Sequence, residues 1–165
     1  MKIGIIYYSK TGNTRYVAHL LEQKLKEKNR DVDIVEIEAV KQPGFFGAGA
    51  AAIKEKELPI KNTGFDLKPY DTLIVGSPIW GGRPSPFLKT FFKCAKNVKG
   101  KKVACFVGGK GESGSHTLAQ DIMRKNLEAV GMNVSDAFLD LQMGKGSIRS
   151  GEQEIEGFLD KVLPL

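Results

Sequence analysis

The chain has 165 residues, 41% of them hydrophobic, with 25 Lys and Arg against 19 Asp and Glu, a net charge of +6 and a pI near 9.3. That length supports one domain, residues 1–165, with a full core, and no apolar run approaches the ~20 residues of a membrane span. The basic excess is spread over Lys24, Lys26, Lys28, Lys99, Lys101 and Lys102 rather than interleaved with exposed aromatics on one face, which argues against nucleic acid.

The first residues enter a strand pattern directly, without a charged-then-apolar leader, so no signal peptide is expected. Cys94 and Cys105 are not in a CxxC arrangement and lie in apolar contexts. They read as buried free thiols suited to a reducing cytoplasm.

Residues 2–8 have the continuous apolar character of a buried strand. Ser9-Lys10-Thr11-Gly12-Asn13-Thr14 follows, and from Asn13 to about Lys28 the residues Val17, Leu20, Leu21 and Leu25 keep one helical face. A loop that leaves a strand and opens a helix presents free N–H groups at the positive end of the helix dipole. Three hydroxyls and a glycine join those amides here, and no Walker lysine–serine pair is present, so the loop suits a phosphomonoester rather than a nucleoside triphosphate. His19 on that helix has no second ligand at metal spacing, and no metal is expected.

Val32, Ile34 and Ile37 alternate with Asp33, Glu36 and Glu38, as in a half-exposed edge strand. Residues 44–53 are small, flexible and apolar. A short helix completing a βαβ crossover is the first expectation, and a mobile lid with Phe45 and Phe46 at its tip is the second. Tyr70 to Gly76 reads as the third strand, and Ser77-Pro78-Ile79-Trp80-Gly81-Gly82 begins the loop after it, before a helix starting near Pro86. Residues 102–107 form the fourth strand, and Leu118, Ile122, Leu127 and Val130 mark a helix that Gly131 stops. Val134 to Leu141 reads as the last strand. Ser150 and Gln153 fit a capping box that opens a final helix with Ile155, Phe158, Leu159 and Val162 inward. Five strands alternating with helices imply a parallel α/β sheet with helices on both faces.

The pattern Ser/Thr-x-Thr-Gly-x-Thr after the first strand resembles the FMN-phosphate loop of the flavodoxin family. The resemblance continues through Gly76 to Gly82 and through Gly108 to Thr117. It implies a flavodoxin-like three-layer sandwich with sheet order 2-1-3-4-5 and FMN at the switch point, the location that flavodoxin itself exemplifies. On that basis Ser9, Lys10, Thr11, Gly12, Asn13 and Thr14 would hold the phosphate. Ser77, Pro78, Ile79, Trp80, Gly81 and Gly82 would line the ring, with Trp80 stacked on it, and Gly108, Gly109 and Gly111 would close its other side.

Gly109 to Gly114 literally matches G-x-G-x-x-G, but the first βα turn, where a dinucleotide fingerprint belongs, is taken by the phosphate loop. The stretch from Gly108 to Thr117 has no aromatic residue, which leaves one flavin face open. His116 reads as an exposed loop histidine, the alternative being an approach to the flavin or to a substrate carbonyl.

Two functions follow from the resemblance. One is a flavodoxin-like carrier passing electrons between redox partner proteins, the first expectation. The other is an FMN-dependent NAD(P)H oxidoreductase acting on a quinone or another small acceptor, which suits the open face and the basic surface. Carriers of this family are usually acidic, and this chain departs from that.

Overall fold

Continuous apolar stretches bounded by glycine and polar turns give the long strands of the computed structural model, which describes residues 1–163 without the side chain of Phe45. In chain order these elements are β1 (Lys2–Tyr7), α1 (Asn13–Glu27), β2 (Asp31–Glu36), α2 (Phe45–Ile53), β3 (Thr72–Trp80), β4 (Arg83–Pro84), α3 (Pro86–Cys94), β5 (Lys102–Gly109), α4 (Thr117–Ala129), β6 (Asn133–Met143), β7 (Ile148–Ser150) and α5 (Ile155–Val162). A single 3₁₀ turn, Glu152–Glu154, precedes α5.

The sheet runs β2-β1-β3-β5-β6-β7. Its five long strands pair in parallel, which is the expected 2-1-3-4-5 order of a flavodoxin-like sandwich. Two short antiparallel strands extend that expectation. β3 overruns its expected end and turns back through Gly81 and Gly82, both at positive φ (56° and 76°), so that Trp80 faces Arg83 across a two-residue hairpin. β7 folds back on β6 after Gly144 to Ser147.

Alternation along the central strands divides the core between two faces. Ile3, Ile5, Ile74, Phe106 and Leu139 pack with α1 and α5 on one side. Ile6, Tyr8, Leu73, Val75, Val103 and Val107 pack with α3 and α4 on the other. Gly76 pairs with Phe106 in register, and a Cβ there would fall 2.0 Å from the Phe106 ring, so glycine makes room for that ring across the sheet. β2 is the half-exposed edge strand expected.

Three local expectations are corrected. Cys94, at the end of α3, is exposed; only Cys105 is buried, where desolvation pushes its thiol up to about 12. Ser150 does not cap the last helix. It belongs to β7, its hydroxyl lies 3.3 Å from Gln142 Oε1, and the chain enters the 3₁₀ turn through Gly151 in the left-handed conformation. His116 is buried rather than exposed. Among the described residues no helix is long and apolar enough to cross a membrane.

Candidate functional site: a cavity at the carboxyl ends of β1, β3 and β5

The loop from Ser9 to Gly12 reverses the chain tightly enough that Ser9 Oγ accepts the Gly12 N–H at 3.2 Å. Gly12, at φ 95°, occupies the left-handed region that a side chain would disfavour, and then α1 begins. No side chain caps this helix, and its first turn holds no acidic residue. Among the described residues none accepts a hydrogen bond from the backbone N–H of Asn13, Thr14 or Arg15. Three aligned, unpaired donors at a helix start are what a phosphate group satisfies.

The side chains around them are largely committed elsewhere. Asn13 Nδ2 donates to Gly144 O at 2.9 Å, and Asn13 Oδ1 accepts the Gly146 N–H at 3.0 Å, which pins the β6–β7 turn to the phosphate loop. Its backbone amide and the second Nδ2 hydrogen are left for a ligand. Arg15 turns away to grip Glu36 with two bonds of 2.9 and 2.6 Å. Tyr7 also donates to Glu36, at 3.0 Å, and burial pushes its phenol up to about 12. Ser9 and Thr14 are buried behind the loop at 5% and 3% exposure.

The β3 loop forms a second wall. Ser77, fully buried, does not line the cavity: its Oγ accepts the Ser85 N–H at 2.8 Å and donates to Pro78 O at 2.9 Å, fixing the loop from behind. Beyond it Trp80 meets Tyr8 and Phe87 edge-on, with centroids 5.5 and 6.2 Å away. Lys10 Nζ lies 5.7 Å from the Trp80 centroid and donates to Pro43 O, while Tyr8 OH donates to Gln42. Those two bonds hold the approach to α2 against the loop.

Between these walls is a cavity of about 840 Å³, within the range of small-molecule sites. Lys10, Thr11, Asn13, Pro78, Ile79, Trp80, Gly81, Gly82, Gly108, Gly109 and Gly111 line it, whereas the side chains of Ser9, Thr14 and Ser77 are buried and half-exposed Gly12 does not line it. The structure adds Ala48, Gly49, Ala50 and Ile53 of α2, together with Lys110, His116 and Met143. Phe46, at the head of α2, lines the cavity while 88% exposed. α2 is a helix, as first expected, and it also forms one side of the cavity.

Of the added residues only His116 carries polar ring chemistry. Its Nδ1 lies 2.6 Å from Asp140 Oδ1, and its backbone N–H donates to Asp140 Oδ2 at 2.9 Å. Sequence gives no sign of that pair, because the two residues are 24 positions apart and meet only when β6 lies beside β5.

The residues present fit FMN: unpaired amides for a phosphate at the α1 start, and a glycine-rich wall with one indole for a flat ring. A family model described as NADPH-dependent FMN reductase matches residues 1–141. Among solved structures, a flavoprotein in complex with FMN from Lactobacillus acidophilus NCFM is 21% identical, with 96% of this chain and 98% of that one covered and a TM-score of 0.72. Oxidised Flavodoxin 2 from Bacillus cereus is 24% identical over 99% of this chain and 96% of its own, with a TM-score of 0.62. The chain belongs to the NADPH-dependent FMN reductase family and is a flavodoxin-like redox protein that binds FMN.

Proposed function

We propose that the protein is an oxidoreductase whose FMN is reduced by a nicotinamide dinucleotide and passes its electrons to a small acceptor. Bound FMN supplies acceptance and release of one or two electrons at its ring. The α1 amides would hold the phosphate, Trp80 and the β3 loop would take one side of the ring, and Gly108, Gly109 and Gly111 the other.

The observation that carries this reading is the β5-side wall. Gly108, Gly109, Gly111, His116 and Met143 place no phenyl, phenol or indole ring there. An electron carrier buries the ring between aromatics. A wall of glycines instead leaves room for a second planar molecule, and hydride transfer needs reacting atoms within about 3–3.5 Å. Lys10 and Lys110 at the cavity, and the net charge of +6, favour an anionic donor. A carrier serving two partner proteins is the second reading, favoured by the Tyr8–Trp80–Phe87 aromatic cluster on the β3 side.

Anaerobic mixing of FMN-loaded protein with excess NADH, and separately NADPH, tests this. Rapid bleaching of the flavin is expected with at least one of them. Bleaching by dithionite but by neither nucleotide overturns the reductase reading in favour of the carrier.

A further inference from the structure

The cavity wall holds one arrangement that binding a phosphate and a flat ring does not require. His116 and Asp140 are each 8% exposed. A single carboxylate engages both the ring nitrogen Nδ1 and the backbone N–H of His116, at 2.6 and 2.9 Å, which fixes the ring plane and which nitrogen faces Asp140. Asp140 is itself held: Ser113 Oγ donates to its carbonyl at 2.6 Å, and Gln120 Nε2 lies 3.5 Å from Oδ2.

The opposite edge of the ring faces the glycine loop. A Cβ on Gly109 would fall 2.5 Å from His116 Nε2, and one on Gly111 would fall 3.0 Å from it. A side chain at Gly109 would cover that nitrogen or expel the ring, and one at Gly111 would crowd it together with Ser115 Oγ, 2.9 Å from the added Cβ. Glycine at both leaves Nε2 an open flank in the wall of the cavity.

A carboxylate that orients an imidazole, with the second nitrogen directed at a ligand cavity, is built to move a proton. We propose that His116, positioned by Asp140, is the proton donor to the acceptor that the bound cofactor reduces, a small carbonyl compound of the quinone class. The inference rests on FMN filling the cavity and deepens the function proposed above. Reducing a quinone to a hydroquinone takes two electrons and two protons. Bound FMN in its reduced form would supply the electron pair and one of the protons together, as hydride. The second passes from Nε2 to the acceptor oxygen, leaving a neutral imidazole whose Nδ1 still donates to Asp140, and water restores the Nε2 proton after the product leaves.

The test reduces FMN-loaded protein with dithionite, titrated to its endpoint. It is then reoxidised in stopped flow by benzoquinone and, separately, by ferricyanide, which takes one electron and no proton. In His116→Gln the ratio of the quinone rate to the ferricyanide rate should fall about a hundredfold, the lower end of what general acid catalysis contributes. Asp140→Asn should lower the same ratio, because an amide N–H opposite Nδ1 favours the other tautomer. An unchanged ratio in His116→Gln, or equal slowing with both acceptors, overturns the proposal, since a packing role affects both reactions alike. Dithionite supplies the electrons, so failure of NADH or NADPH to bleach the flavin counts against the donor reading alone. FMN-free wild-type protein gives an independent check: the histidine ¹⁵N spectrum should show the hydrogen on His116 Nδ1, and a bare Nδ1 overturns the proposal.

Discussion

Ser77 shows how a residue can matter to the cavity without touching it. Its hydroxyl accepts the Ser85 N–H and donates to Pro78 O in a fully buried position, so the turn from β3 toward α3 is closed around one oxygen. Ser77→Ala removes the acceptor and leaves the Ser85 amide buried and unpaired, which costs about 1–3 kcal/mol. The urea midpoint should drop accordingly with an unchanged slope; an unshifted midpoint would mean the loop repacks around the loss. The glycines of the β5 loop make a related point. Gly109 and Gly111 satisfy a dinucleotide-like spacing in the sequence, yet what crowds a side chain at Gly109 is the imidazole of His116, and at Gly111 Ser115 Oγ together with that imidazole. Gly114 is glycine for a different reason, its φ of 81°.

Among the elements, α2 combines the least regular sequence with a place on the cavity. Ala48, Ala51 and Ala52 are buried beneath it, whereas Ile53 is 58% exposed, and two of its nine residues are glycine. A Cβ on Gly47 would come no closer than 3.9 Å to Pro43, and one on Gly49 would meet nothing within 4 Å. Each glycine in a helix interior costs about 0.5–1 kcal/mol relative to alanine. Gly47→Ala with Gly49→Ala should therefore slow hydrogen exchange of the α2 amides about tenfold through local opening. Unchanged exchange would show that α2 opens only with the whole domain. If opening of α2 admits the acceptor, turnover falls in the same variant.

The elements also show what a sequence can carry. Strands β1, β3 and β5 are legible as continuous apolar runs, β2 by its alternation, and helices α1, α3 and α4 by a helical period of apolar residues. β4 and β7, of two and three residues, are too short for a period, although the Gly81-Gly82 pair was a readable hairpin signal. The start of α5 was misread because a serine three residues before a glutamine fits a cap whether or not the chain enters a strand there. The phosphate loop was legible as a motif, but the duty of Asn13 was not, since its partners Gly144 and Gly146 lie over 130 positions away. His116 was misread for the same reason: only the fold supplies Asp140.

At the scale of the whole molecule, four ionisable groups in or against the core resist losing their protons. Burial is the leading cause at Tyr7, Tyr8 and Tyr70, each pushed up from 10.0 to about 12. It is also the leading cause at Cys105, pushed up from 9.0 to about 12. In the unfolded chain these groups lose their protons near their ordinary values, while the folded protein retains them to about 12. Between about pH 9 and 12 the unfolded state therefore binds fewer protons, and stability falls as pH rises. The contribution is complete below about pH 9 and gone above about pH 12. At the acid end, Asp33, Glu57 and Glu156 are held below their usual range chiefly by hydrogen bonds from lysines. Their support is lost as pH falls through those lowered values. These pairs lie at the surface with carboxylates 42–53% exposed, where solvent screens them, so acid should destabilise the fold less than alkali. An alkaline titration followed by circular dichroism and tyrosinate absorbance checks this. The signal of Tyr7, Tyr8 and Tyr70 should rise together with loss of secondary structure. Ionisation of all three near pH 10 in an intact fold would show that water reaches the core faces on which β1 and the start of β3 are packed.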